Sequence, residues 1–300
     1  MIDTWMADLP NGTRLSCRSA GTPGRPLMLF LHGFPEGAFV WDRLMAHFAA
    51  PEHGGFRCVA PNLRGFERSS APAAVEAYKP GPLIEDVMQL AARESQSGRI
   101  HTLVAHDWGG AFAWGAAHAH HDRIERLVII NSPHPATFAR DLRSNPEQQK
   151  ASAYMHFLCR ADAEERLAAN DYELMWRFMQ GSDATLSWLT EQVKDQYREV
   201  WDCGLTGGCN LYRVTPLKPP LPGTTTAADI PVLTPERVRV SVRTLVLWGL
   251  DDAALRPGLL DGLEAYVPDL TVQRIPHATH WVVHEQPDLI ASRIERFNAN

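Results

Sequence analysis

Residues 100–115 read IHTLVAHDWGGAFAWG. An apolar run at 102–105 is followed by His106-Asp107-Trp108-Gly109-Gly110, and then by an Ala-rich segment of helical character. Strand, tight turn of small residues and helix together make the shape of a nucleophile elbow, usually written G-x-S-x-G. Here Asp107 holds the nucleophile position, and Ala105 stands where the first Gly would be. Such a turn thrusts its apex side chain above the carboxyl ends of a parallel sheet. A carboxylate, with an unperturbed pKa of about 3.9, is ionised at neutral pH and attacks without a base. Its target must be an electrophilic sp3 carbon, because attack on an ester or amide would leave an anhydride. The competing reading of Asp107 is a helix N-cap, a favoured role for Asp.

Outward from the elbow, the pattern is strand and helix in alternation. Residues 27–31 (LMLFL) form a continuous apolar run, as expected of a strand buried on both faces. Further strands are expected at 56–60, 124–130, 243–248 and 270–275, with two short strands within 1–26. Helices are expected at 39–48, 83–92 and 285–297. This order predicts an α/β fold with a parallel sheet. From 134 to 235 the strand pattern stops. Helical stretches are expected at 148–158, 163–180 and 183–201, followed by a Pro-rich run from 216 to 235. Residues 134–235 therefore read as a helical cap inserted after the sixth strand, with 1–133 and 236–300 forming one core.

The composition is that of an ordinary soluble protein, with 45% hydrophobic and 21% charged residues. A net charge of -6 argues against a nucleic-acid partner. No apolar run approaches the roughly 18 residues of a membrane span. The start lacks the basic and apolar regions of a secretory signal. Five scattered cysteines, none in a C-x-x-C pair, fit free thiols in a reducing cytoplasm.

Two further loops follow strands at the rim where open α/β sheets place ligands. One carries Gly249-Leu250-Asp251-Asp252; the other carries Pro276-His277-Ala278-Thr279-His280-Trp281. Nucleophile, acid and His in that chain order match the order of the α/β-hydrolase fold.

With His32-Gly33-Phe34-Pro35, Asn62-Leu63-Arg64-Gly65-Phe66, the elbow, Trp248-Gly249-x-x-Asp252 and His280-Trp281 in place, the chain resembles α/β-hydrolases of the epoxide hydrolase and dehalogenase group. Haloalkane dehalogenases typically carry Asn where this chain has Phe34, and fluoroacetate dehalogenases carry Arg where it has Trp108. Asn210-Leu211-Tyr212-Arg213 is similar to the N-x-Y-R segment of epoxide hydrolases, which carries one ring-opening tyrosine. Tyr154 falls where the second is found. The motif's second Gly is Glu67 here, a departure confined to a loop.

The resemblance implies epoxide opening in two steps. Asp107 attacks an epoxide carbon while Tyr154 and Tyr212 stabilise the departing oxygen. His280, oriented by Asp252, then activates water against the resulting ester. The family's G-x-x-D spacing favours Asp252 over Asp251, and the His-Trp pair favours His280 over His277. Some relatives place the acid after the sixth strand, where this chain has Asn131. The amides of Phe34 and Trp108 are expected to form the oxyanion hole, next to a cis Phe34–Pro35 bond. His32, Pro35, Trp108, Met155 and Trp281 are expected to line the substrate pocket. No cofactor or metal is implied. The partners are a small apolar epoxide and water; either a monomer or a homodimer is compatible with the sequence. The alternatives are a dehalogenase using the same Asp, or a non-catalytic binding protein on this fold.

Overall fold

The computed structural model describes residues 1–180 and 186–299. Eight strands form one sheet: β1 (Asp3–Asp8), β2 (Arg14–Ala20), β3 (Leu27–Leu31), β4 (Arg57–Pro61), β5 (Thr102–His106), β6 (Arg126–Ile130), β7 (Arg243–Gly249) and β8 (Leu270–Ile275). Their spatial order is β1-β2-β4-β3-β5-β6-β7-β8. Only β2 runs against its neighbours; every other pair is parallel. The unbroken apolar runs are explained by position, since every residue of β3, β4 and β5 is buried. Helices α1 (Asp42–Ala49), α2 (Pro80–Glu94) and α3 (Asp107–Ala119) connect the strands of the first half.

The connection after β3 leads to β4 on one side, and the connection after β5 leads to β6 on the other. β3 and β5 lie side by side. Their carboxyl ends therefore form the switch point of the sheet, where diverging loops open a crevice. Both the His32-Gly33-Phe34-Pro35 loop and the elbow start from this point.

Between β6 and β7 lie α4 (Pro135–Ser144), α5 (Pro146–Ala151), α6 (Tyr154–Leu158), α7 (Ala163–Gln180), α8 (Glu191–Trp201) and α9 (Thr206–Val214). A short α10 (Pro235–Val238) precedes β7; α11 (Val282–Glu285) and α12 (Pro287–Ala299) follow β8. The stretch expected as one helix at 148–158 is two. The buried Gln148 side chain donates to Ser152 Oγ at 2.8 Å and to the Ala254 carbonyl at 2.8 Å, tying the break to the loop after β7. The α7 segment is kinked, because Asn170, Asp171 and Tyr172 adopt left-handed backbone angles. Of the helix expected from residue 183, residues 183–185 lie outside the described residues. The described part of that helix begins at Glu191, capped by the Thr190 hydroxyl, which accepts from the Val193 N–H. The closing helix expected at 285–297 is interrupted before Pro287, which starts α12 without needing an N–H partner. Among the described residues, no helix is long and apolar enough to cross a membrane.

Candidate active site

The elbow is tight enough to put Asp107 in the left-handed region, at φ 48°. That angle is unfavourable for an L-residue and is held by the packing around it. The N-cap position of α3 is His106, with no side-chain cap, so the N-cap reading of Asp107 does not hold. Instead the carboxylate turns toward the loop after β3. Its Oδ1 accepts from the Phe34 N–H at 2.9 Å. Ser132 Oγ donates to the Asp107 carbonyl at 2.6 Å and braces the turn from β6. Gly33 is required by proximity, since a Cβ there would stand 2.2 Å from Asp107 Oδ1. The Phe34–Pro35 peptide is cis.

His280 approaches from the loop after β8. Its Nε2 lies 3.6 Å from Asp107 Oδ2, and its Nδ1 lies 2.7 Å from Asp252 Oδ2. Asp252 is fully buried and its oxygens are fully engaged. The Ala254 and Leu255 N–H groups each donate to Oδ1 at 2.8 Å, and Asn131 Nδ2 donates to Oδ2 at 2.7 Å. Burial would raise the Asp252 carboxyl, but the His280 charge and these hydrogen bonds outweigh it and hold the group below its ordinary range. Burial would likewise lower His280. The Asp252 charge and hydrogen bond, followed by the Asp107 charge, reverse that and push it up to about 9. Asp251 and His277 are exposed neighbours and take no part in this chain of contacts.

Tyr154 opens α6 and Tyr212 lies in α9. Their rings meet edge to face, with centroids 6.0 Å apart. The Tyr212 ring also packs edge to face against Trp108 at 5.1 Å and Phe34 at 5.6 Å. Burial raises both phenols above their ordinary value, followed by Asp107 and Asp252 for Tyr154 and by Tyr154 and then Asp107 for Tyr212, and so keeps them protonated. The seating of α9 depends on Gly207: a Cβ there would come within 2.3 Å of the Gly65 Cα. The backbone of the inserted segment therefore lies directly on the Asn62-Leu63-Arg64-Gly65-Phe66 loop.

Asp107, Tyr154 and Tyr212 border two cavities at once. One, of about 250 Å3, is apolar and is lined by Trp108, Phe112, Phe138, Met155 and Leu255. The other, of about 410 Å3, is more polar and is lined by Phe34, Arg177, Met179, Asp252, His280 and Trp281. Two expected lining residues, His32 and Pro35, border neither. His32 is fully buried behind the loop. Its Nδ1 donates to the Gly33 carbonyl at 2.8 Å, and its Nε2 accepts from the Leu63 N–H at 3.0 Å. Burial lowers it to about 4, so it stays neutral. The Pro35 carbonyl accepts from Trp201 Nε1 at 2.6 Å and ties the loop to α8.

Sequence reasoning assigned no role to Glu36 or His106, although both flank residues it had singled out. Glu36 is 1% exposed. Its carboxylate meets His106 Nδ1 at 2.9 Å, His284 Nε2 at 3.1 Å and the Tyr197 hydroxyl at 3.3 Å. His106 Nε2 in turn meets the His280 carbonyl at 2.9 Å. Burial would raise Glu36; the His106 charge and hydrogen bonds prevail and hold it well below its ordinary value. This buried cluster supports the backbone of His280 from beneath. Its one sequence signal was a Glu following a Pro in a loop otherwise read for its turn.

Residues 26–287 match the family model described as the alpha/beta hydrolase fold. The chain belongs to the α/β-hydrolase family. It is similar to epoxide hydrolase 3 of Xenopus tropicalis, 32% identical over 297 residues, covering 96% of this chain and 75% of that one. Among solved structures, an epoxide hydrolase from metagenomes of hot environments is 35% identical, with a TM-score of 0.84 and coverage of 99% of this chain and 98% of that one. An inhibitor complex of the Bacillus megaterium epoxide hydrolase is 29% identical, with a TM-score of 0.87 and coverage of 99% and 100%.

Proposed function

We propose that this chain is an epoxide hydrolase that converts a small apolar epoxide and water to a vicinal diol. The observation that carries the reading is the juxtaposition of one carboxylate, Asp107, with two phenols, the half-buried Tyr154 and the buried Tyr212, across the same cavities. Opening an epoxide ring leaves an alkoxide, a far stronger base than a halide. It calls for donors of the strength of a phenol, whose ordinary pKa is about 10. A halide needs only weak donors. The names of the relatives support the same activity.

In the first step, a lone pair of Asp107 forms a C–O bond to an epoxide carbon and the ring C–O bond breaks. The released oxygen takes hydrogen bonds and then a proton from the tyrosines. The product is a glycol ester of Asp107, a case of covalent catalysis. In the second step, His280 Nε2 removes a proton from water, whose oxygen attacks the ester carbonyl. The tetrahedral intermediate collapses by breaking its bond to the glycol oxygen, which leaves with the proton held by His280. The water's second proton, released as Asp107 returns to a carboxylate, restores the tyrosine. The Nδ1–Asp252 contact fixes the tautomer that leaves Nε2 free for this role. The tetrahedral oxyanion falls to the amides of Phe34 and Trp108; one such donor is worth about 2.7–4 kcal/mol. The Phe34 N–H already points at the Asp107 carboxylate at 2.9 Å. We read residues 134–235 as the cap that carries both phenols and much of the cavity wall over the core formed by 1–133 and 236–300.

Intact-mass measurement on His280→Gln tests the reading. Incubated with styrene oxide, this variant should gain the whole mass of the epoxide, and Asp107→Asn should abolish the gain. A gain from bromoacetate equal to the acid minus hydrogen bromide, with none from a panel of epoxides, would replace the reading with a dehalogenase.

A further inference from the structure

The described residues hold one group of three His, Cys, Asp or Glu side chains whose ligand atoms all lie within 4.8 Å of one another: His47, His53 and Glu295. They lie on elements separate from the Asp107 cavities. His47 is in the last turn of α1, His53 ends the short 3-10 turn Pro51–His53, and Glu295 is on α12. Tertiary packing brings together residues more than 240 positions apart in the chain.

We propose that these three side chains form a surface site for a borderline divalent metal ion of the Zn2+, Ni2+ or Co2+ type. Both imidazoles aim a nitrogen at the same carboxylate oxygen: His47 Nε2 lies 2.9 Å and His53 Nδ1 2.5 Å from Glu295 Oε1. The two rings are stacked, with centroids 3.7 Å apart and planes 20° apart. In the metal-free protein, both nitrogens must donate to one oxygen. A metal ion accepts from all three groups at once, with each imidazole moving its proton to the far ring nitrogen. Two imidazoles and a carboxylate suit Zn2+ and its neighbours rather than Mg2+ or Ca2+, which take oxygen ligands. Donor atoms on a tetrahedral ion with bonds of about 2.1 Å stand about 3.4 Å apart. Because the ion must lie near the plane of each ring, binding requires the imidazoles to turn out of their stack about their side-chain torsions. They have room to do so, because each is about a third exposed. The same exposure leaves the fourth position to water. The bound ion would join α1 to α12, which the Arg43–Asp288 ion pair at 2.7 Å already bridges. It would therefore stabilise the folded chain, since the unfolded chain does not assemble the three ligands.

The test is calorimetric titration of Zn2+ into tag-free, chelator-treated full chain, paired with thermal unfolding. One ion should bind per chain and raise the melting temperature. His53→Gln and Glu295→Gln should each weaken that binding at least tenfold and remove the shift, while keeping their turnover of styrene oxide. His120→Gln/His121→Gln, altered in the other histidine-rich stretch of the surface, should bind as the unsubstituted protein does. Absence of stoichiometric binding would overturn the proposal. So would binding that survives both His53→Gln and Glu295→Gln, or binding lost in the His120/His121 variant. If one of the two site variants fails to fold, the other decides. Four-coordinate Co2+, read by its visible absorption, gives an independent measure of the same ligand set.

Discussion

At the scale of single residues, the site is built on charges that change during the proposed reaction. Asp107 is among the groups that hold His280 up at about 9. In the resting protein this favours the imidazolium, which cannot act as a base. Once Asp107 is esterified its charge is gone, and one of the supports for the raised value goes with it. His280 then titrates lower, at the moment a base is needed. NMR titration of His280 in Asp107→Asn should therefore give a value below that of the unsubstituted protein. An unchanged or higher value would mean that Asp107 is not among the groups that raise it. In the proposed reaction the two phenols carry the other step. In single-turnover experiments with styrene oxide, Tyr212→Phe should slow ester formation about 10²-fold, the usual worth of a positioned proton donor. Hydrolysis of ester already formed should be unaffected, which separates loss of a proton donor from general damage to the site.

At the scale of elements, precision comes from close approach between backbones. The α9 helix carries Tyr212 and rests on the Asn62–Phe66 loop through Gly207 and Gly65. Gly207→Ala would force the two segments apart. The expected cost is about 1–3 kcal/mol, as for other overpacked contacts, and would be measured by urea unfolding. The same variant should lose activity through displacement of Tyr212, with the His280–Asp252 pair left intact. The strand pattern announced the sheet, because a run such as LMLFL has few other uses in a chain of this polarity. The breaks in the helices did not announce themselves. Gln148 splits a helix by bonding to a loop more than 100 residues away, an interaction no local periodicity carries.

At the scale of the whole molecule, stability should peak near pH 6.5. His280 is raised from 6.5 to about 9 by folding, so its contribution is complete below pH 6.5 and is lost as pH rises through 9. His32 and His134 are lowered from 6.5 to about 4, chiefly by burial. Their contribution is complete above pH 6.5 and is lost as pH falls toward 4. Glu36 and Asp252, both held below their ordinary values, add to the acid loss below about pH 4.5. Melting temperatures across this range should fall on both sides of the maximum. His280→Gln should flatten the alkaline side and leave the acid side in place. An alkaline side unchanged in that variant would assign the loss to other groups.

The sequence alone determined the class of fold and singled out Asp107, Asp252 and His280 at the three strand ends, since each rests on local patterns. A strand buried on both faces must be continuously apolar, and an elbow must be built of small residues. The pairing of Asp252 with His280, anticipated from spacing, appears as a 2.7 Å contact between strand-end loops. Tertiary structure alone decided that His32 and Pro35 border neither of the two cavities. It also decided that Asn131, sitting where some relatives place the acid, donates to Asp252 instead. The cluster of Glu36, His106, His284 and Tyr197, and the meeting of His47 and His53 with Glu295, are likewise products of the folded chain. The reason is the same in each case. A polar side chain's role depends on what lies across from it, and these partners come from distant segments that meet only after the sheet has formed.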